Sequence, residues 1–292
     1  MFVNIFMRNL RVKNKYIAIK NNTWVKCLVF ISLIFSVTNT YAGETVDEIL
    51  DKYYPIYNKA KQCQGIMANN GSSDGEGTLY QNGYCIEVDR QLKVETKQGT
   101  RLYISVIGDI GFNEDGSEAY GAHVFNGLVG MFVLKPQGSG WEVEYANPAM
   151  NAGSFGKGLK DWKLIQVAPD KWGFINIHSD SHWVYSGSAF ILLTPDKGNI
   201  TKSWIEAKYE HSNAGSGSAG GCSNPDVSTC TLLKAKLGVN KNTIINGFYP
   251  LKITINGFED DKVYKNKVYL IKYQPRLGYQ VPNDYPMKDV SF

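Results

Sequence analysis

Long apolar runs are scarce in this 292-residue sequence, which excludes a polytopic membrane protein. One stretch, Cys27–Val37, is strongly apolar, but its 11 residues fall well short of the roughly 20 that a helix needs to cross a bilayer. Charged residues make up 20% of the chain and aromatic residues 13%. A disordered chain is more highly charged and poorer in aromatic residues, and neither a collagen nor a coiled-coil composition is present. The sequence therefore predicts a globular protein.

Motifs that identify an enzyme class are also missing. The chain has no phosphate-binding loop, no dinucleotide-binding glycine motif and no Cys-x-x-Cys pair. The segment Gly215–Gly220 places serines between glycines, but it lacks the Gly-x-Ser-x-Gly spacing that surrounds a hydrolase nucleophile. No cofactor is therefore expected, and any enzymatic function would have to rest on residues outside these motifs.

Residues 1–42 have the three parts of a secretory signal peptide. Six basic residues and no acidic residue come before the apolar run, and the small residues Thr40 and Ala42 follow it. We expect cleavage after Ala42 and a periplasmic or secreted mature chain. Removing this leader lowers the number of basic residues from 31 to 25 against 27 acidic residues, so the net charge becomes −2. Such a net charge does not favour nucleic acid or anionic lipid, and no integral membrane association is expected after cleavage.

Four cysteines remain in the expected mature chain, namely Cys63, Cys85, Cys222 and Cys230. An even number in an exported protein indicates two disulfides. Three connectivities are possible, and the pairs Cys63–Cys85 and Cys222–Cys230 are favoured because they close the shortest loops. A zinc site needs closer cysteine pairs than these spacings provide.

The mature chain begins with a pattern typical of a helix. Thr45 and Glu48 have the spacing of a capping box, and apolar residues then recur at helical intervals until about Cys63. We predict a helical segment over residues 43–68, either kinked at Pro55 or divided there into two short helices. Two loops are predicted from Gly, Ser and Asn content, one over 69–78 and one over 212–229.

Beyond the first loop the pattern changes to short strands separated by turns. Aromatic and β-branched runs repeatedly end at a proline, followed by a turn and a second strand; these prolines are Pro136, Pro169, Pro195 and Pro275. Their spacing is irregular, so the pattern indicates serial hairpins and not a strict repeat. The predicted fold is mainly β, an antiparallel meander that is sandwich-like or propeller-like, in a single domain over residues 43–292.

His178, Asp180 and His182 alternate along the chain and form a possible three-ligand metal set if the segment is extended. The competing interpretation is a hairpin turn, because Asp180 lies between two serines and because Ile177 and Trp183 resemble the flanking strands. A turn would scatter the three side chains. We therefore predict no metal site in this segment.

Aromatic residues give the stronger functional signal. The candidate anchors are Trp162, Trp172, Trp183, Tyr185 and Trp204. Exposed aromatic side chains on hairpins suit sugar stacking or the anchoring of a protein partner, because they provide a large contact area at low entropy cost. The competing interpretation is that they fill the core.

The absence of catalytic motifs and the presence of projecting loops favour a binding function. We expect an exported, non-catalytic binding protein of a bacterial envelope, of an inhibitor or immunity type, whose partner is another envelope or secreted protein. One alternative is a secreted hydrolase that acts on cell-wall or polysaccharide substrates through His178, Asp180 and His182 or through a carboxylate pair. The other is a carbohydrate-binding module.

Overall fold

The computed structural model of the protein describes residues 43–73, 76–182, 185–212, 230–259 and 261–290. They contain the helix α1 (Val46–Tyr53) and a first sheet made of β1 (Ile56–Asn58), β2 (Cys63–Ser73), β3 (Leu79–Thr96), β4 (Gly99–Phe112), β5 (Leu128–Gln137) and β6 (Gly140–Asn151). A small pair, β7 (Gly153–Ser154) and β8 (Lys157–Gly158), follows. The second sheet comprises β9 (Lys163–Ala168), β10 (Lys171–His182), β11 (Tyr185–Asp196), β12 (Asn199–Ser212), β13 (Cys230–Val239), β14 (Leu251–Glu259), β15 (Lys262–Gln274) and β16 (Gly278–Gln280).

Both large sheets are antiparallel meanders. The strand order is β1 to β6 in the first sheet and β9 to β16 in the second, so each strand pairs with its neighbour in the chain. The predicted mainly β class, the antiparallel meander and the short N-terminal helix are confirmed. Within the described residues, no helix is long and apolar enough to span a bilayer.

The central strands β4 and β5 of the first sheet are buried on both faces. Alternate residues of β4 separate into two cores, as expected where both faces of a strand are covered. Leu102, Ile104 and Val106 pack towards α1, where Ile49 of the helix is buried. Tyr103 and Ile107 face the second sheet and share a core with residues of β10 and β11. The sheets therefore pack on one another as a sandwich.

The helix is shorter than the sequence predicted. The capping box is present, since the Thr45 side chain accepts from the backbone N–H of Glu48 while the Glu48 carboxylate accepts from Thr45. The predicted helical segment 43–68 is wrong after Tyr53, because β1 and the start of β2 form a hairpin instead. Pro55 lacks the N–H that would continue the helix, and pairing with the sheet then outweighs the helical spacing of apolar residues.

The two predicted loops differ from the structure in different ways. Residues 69–73 of the first one belong to β2, although the register shifts between Asn69 and Ser73. The buried amide of Asn70 donates to the side chain of Asn82 at 2.7 Å, which satisfies a polar group inside this irregular strand. Residues 213–229 of the second loop lie outside the described residues, and β12 continues to Ser212.

One predicted disulfide is confirmed. Cys63 and Cys85 are bonded, with their Cα atoms 5.4 Å apart and a sequence separation of 22. The bond joins β2 to β3, because Cys63 lies in a strand and not in the predicted helical segment. Cys230 is buried at the start of β13, whereas Cys222, its predicted partner, lies outside the described residues.

Trp162 lies in the core between the two sheets, with only 1% of its surface exposed. Its indole N–H donates to the carbonyl of Leu159 at 2.7 Å. The carboxylate of Asp89 accepts from the backbone N–H groups of Asp161 at 2.8 Å and Trp162 at 3.0 Å. Trp162 is therefore a core residue, and its assignment as a surface anchor is corrected.

Candidate binding site on strands β10, β11 and β12

His178, Asp180 and His182 lie in the extended strand β10 and not in a turn. Residues 174–182 pair with β11 without a break, from Phe174 opposite Leu193 to His182 opposite Tyr185. The predicted turn is therefore wrong, because this continuous ladder outweighs the turn preference of the Ser-Asp-Ser sequence. The β10–β11 connection falls at residues 183–184, outside the described residues.

His178 is buried beneath an exposed tryptophan. Only 7% of the surface of His178 is exposed, and the centroid of its ring lies 5.2 Å from the ring centroid of Trp204 on β12. Among the described residues, the Nδ1 atom of His178 has no hydrogen-bond partner. Burial lowers the pKa of His178; the negative charge of Asp180 opposes this shift, and Lys202 adds to it. The imidazole is therefore neutral at pH 7.

Trp204 is held by Glu206 as well as by His178. The buried carboxyl of Glu206 accepts a side-chain hydrogen bond from Trp204. Burial raises the pKa of Glu206 from 4.5 to about 7, although this hydrogen bond acts in the opposite direction. Trp204 itself is 39% exposed. It therefore presents an aromatic surface to solvent while its orientation is fixed by two buried neighbours.

The cluster continues from β10 onto the loop after β4. The Oδ1 atom of Asp180 lies 3.5 Å from Nε2 of His123, and the His123 ring packs edge-on against Phe155 with centroids 4.6 Å apart. Phe155 is 53% exposed. Trp204 contacts His178, the charge of Asp180 acts on His178, and Asp180 is joined to Phe155 through His123. We call these five residues the histidine–aromatic patch.

The other predicted anchors lie in different environments. Trp172 is half-buried, packs against the core between the sheets and contacts Tyr103 edge-on with ring centroids 6.4 Å apart. Tyr185 is half-buried and lies opposite His211 on β12. Trp183 lies outside the described residues. Trp204 is therefore the predicted tryptophan that the structure places at the surface.

The patch contains both ionisable and aromatic side chains. Among the described residues, no group of three or more His, Cys, Asp or Glu side chains is placed to hold a metal ion. The side chain of His182 is not among those described. The pKa of Glu206 is raised to about 7, but Glu206, like His178, is more than nine-tenths buried. Clefts of about 550 and 380 Å³ lie elsewhere, along β15 and beside β1 respectively.

Sequence reasoning missed Glu206, His123 and Phe155. Trp204 and Glu206 alternate in a strand, so a period-two pattern could have placed them on one face. His123 and Phe155 are far from β10 in the chain, and no local pattern connects them with Asp180. Their proximity results from packing of the loop after β4 against the second sheet.

Comparison with known proteins identifies no relative. No protein-family model, no curated protein and no solved structure matches this chain. A functional conclusion therefore has to rest on the chemistry of the patch itself.

Proposed function

We propose that this protein is an exported, non-catalytic binding protein that attaches to another envelope or secreted protein, in the manner of an inhibitor or an immunity protein. The single observation that carries the proposal is the state of Trp204, which is exposed to solvent but fixed against His178 and Glu206. An aromatic side chain that is already ordered loses little conformational entropy on binding and contributes a large contact area. Such residues dominate the free energy of many protein interfaces.

The surroundings of Trp204 support the same function. The patch extends to the exposed ring of Phe155, and Val124, next to His123 in the chain, is 66% exposed. Exposed apolar side chains in the same region as a fixed aromatic residue are typical of protein-binding surfaces. The net charge of −2 expected for residues 43–292 gives no general attraction to nucleic acid.

Export is the second part of the proposal. The basic, apolar and small-residue order of residues 1–42 supports it, and so does the Cys63–Cys85 disulfide, because structural disulfides persist in oxidising compartments. We expect the native protein to begin at Gly43 or at a close neighbour, as measured by intact-mass spectrometry and N-terminal sequencing of protein from the envelope fraction. Recovery of an uncleaved chain in the cytoplasm would contradict export.

Changing Trp204 to alanine is expected to weaken partner binding by about 2 kcal/mol or more, which is roughly a 30-fold rise in Kd. The partner would be captured from an envelope extract, identified by mass spectrometry and then titrated against each variant by calorimetry. The melting temperature should change little, because Trp204 is outside the main cores.

Tyr57→Ala is the matched control for this measurement. Tyr57 is also aromatic and is 59% exposed, but it belongs to β1 at the edge of the other sheet. We expect its removal to leave affinity unchanged. Equal affinity of the Trp204→Ala variant and the unchanged protein would exclude the patch as the binding site.

A secreted hydrolase is the second candidate, and the observation that favours it is the raised pKa of buried Glu206, which contacts Trp204 as His178 does. Purified protein would be incubated with cell-wall material and with soluble polysaccharides. Hydrolysis that is abolished by Glu206→Gln, without loss of the folded state, would replace the binding function with an enzymatic one.

A further inference from the structure

The charge of the chain is divided between two regions. Residues 43–229 contain 15 basic and 22 acidic residues, whereas residues 230–292 contain 10 basic and 5 acidic residues. The net charge of −2 is therefore the sum of an acidic region and a basic one. Because electrostatic attraction depends on the local charge within about 10 Å at 0.1 M salt, the total does not describe the surface of the second region.

Four basic residues of this region share one face of the second sheet. Lys236 lies opposite Thr254, which lies opposite Val268, and Lys252 lies opposite Leu270. Residues directly opposite each other in adjacent strands project to the same side. Adding the alternate positions of each strand gives the set that we call the lysine face: Lys234, Lys236, Lys252, Thr254, Val268, Leu270 and Lys272. The intervening residues Leu251, Ile253 and Ile271 are buried in the core on the opposite side.

Acidic residues do not neutralise the lysine face. Strands β13, β14 and β15 contain seven lysines and one acidic residue, Glu259, which accepts a hydrogen bond from the buried Tyr264 at 2.9 Å. Across the described residues, the four lysines of the face form no ion pair. At the border with β12, Lys208 is paired with Glu210 at 2.8 Å, which marks the limit of the positive surface.

Positive charge is also present near the start of β15, on the side of the sheet opposite to the lysine face, because Lys267 pairs with the buried Ile255. Lys262, Lys265 and Lys267 line a cleft of about 550 Å³ that also includes Asp284. Lys262 and Lys267 lie over the rings of Tyr264 and Tyr269, at 4.8 and 5.8 Å from the ring centroids. These contacts keep the two ammonium groups at the surface of the sheet.

We propose that the lysine face docks on an anionic lipid bilayer. The basic side chains of the three strands are lysines without arginine, and lysine attracts phosphate groups as a point charge without the two-point geometry used for specific partners. The face also exposes aliphatic side chains between the charges: Val268 is 47% exposed and Leu270 is 39% exposed. On a sheet surface of this kind, the lysines would interact with the anionic headgroups, and the aliphatic side chains between them would contact the acyl layer below.

The composition of the face argues against two other partners. Lysine is depleted in the centres of protein interfaces, where tyrosine, tryptophan and arginine are enriched. A glycan would need exposed aromatic rings for stacking, but Tyr264 and Tyr269 beside the cleft are only 5% and 6% exposed. The docking proposal is independent of the binding function of Trp204, which lies on β12 outside this face.

The test measures co-sedimentation of the purified protein with vesicles of phosphatidylglycerol and phosphatidylcholine in equal parts, and with vesicles of phosphatidylcholine alone. We expect binding to the first vesicles only, and weaker binding as salt is raised. Each lysine near an anionic surface contributes about fivefold in affinity, so Lys236→Gln combined with Lys252→Gln should weaken binding by roughly 30-fold.

The control variant combines Lys97→Gln with Lys163→Gln, two exposed lysines outside the face, and should bind as the unchanged protein does. Residues 1–42 are common to all variants and cancel in this comparison. If the first double variant fails to fold, Lys234→Gln with Lys272→Gln provides the same loss of charge. Absence of binding to anionic vesicles, equal weakening in the control, or equally tight binding to soluble polyglutamate would overturn the proposal.

Discussion

Replacing Trp162 with alanine is expected to lower the free energy of unfolding by about 3–5 kcal/mol. The side chain is 1% exposed in the core between the two sheets, so its removal leaves a cavity that the rigid sheets cannot close. The carbonyl of Leu159 would also lose the hydrogen bond of 2.7 Å that it accepts from the indole N–H. Urea denaturation followed by circular dichroism measures this loss, provided that the m-value stays constant.

Trp162→Phe separates the two causes of this destabilisation. Phenylalanine keeps part of the apolar contact but cannot donate to Leu159, so an intermediate loss of stability is expected. A loss below about 1 kcal/mol for the alanine variant would mean that the two sheets do not share the core described here, because a filled core cannot lose an indole at so low a cost.

The unchanged protein is expected to lose stability as pH rises, because Glu206 becomes ionised. The Glu206→Gln variant should not show this loss. The pKa of Glu206 is about 7 in the folded protein, against an ordinary value of 4.5. Between these values the folded state binds more protons than the unfolded state. The stability contribution is therefore fully present below pH 4.5 and is lost as pH rises through about 7. The difference corresponds to about 3 kcal/mol.

The glutamine variant should consequently be more stable than the unchanged protein at pH 8.5 and similar to it at pH 4.5. Glutamine can still accept the hydrogen bond from Trp204, so the packing of the tryptophan is preserved. Chemical denaturation across this pH range measures the difference. Glu142→Gln serves as control, because the Glu142 side chain is exposed and lies 3.1 Å from Lys135. Parallel stability curves for Glu206→Gln and the unchanged protein would refute the assignment.

Much of the strand order could be predicted from local sequence. Pro169 and Pro275 directly follow β9 and β15, as expected for a residue that cannot donate to a ladder. The capping box of Thr45 and Glu48 also predicted correctly where α1 begins. The hairpin after Tyr53 could not be predicted, because the apolar spacing of residues 46–60 fits a helix and only the neighbouring strands make extension more stable.

The candidate site was less accessible to sequence reasoning than the fold. The exposure of Trp204 and the burial of Trp162 follow from the packing of the two sheets, and both residues have similar strand-like neighbours in the sequence. The lysine face could have been found by counting charge in segments, since the basic residues are concentrated after residue 230. Its position on a single side depends on the register of β13, β14 and β15.

In both meanders each strand pairs with the next one along the chain. This order affects how the chain can fold while it emerges, N-terminus first, during synthesis or translocation. All six strands of the first sheet precede the eight strands of the second, so the first sheet can pair before the second has appeared. Its hairpins close short loops, which keeps the contact order low for a β protein and shortens the time during which strand edges are exposed. Vectorial synthesis or translocation would therefore form the two sheets in succession, with Trp162 buried when they meet.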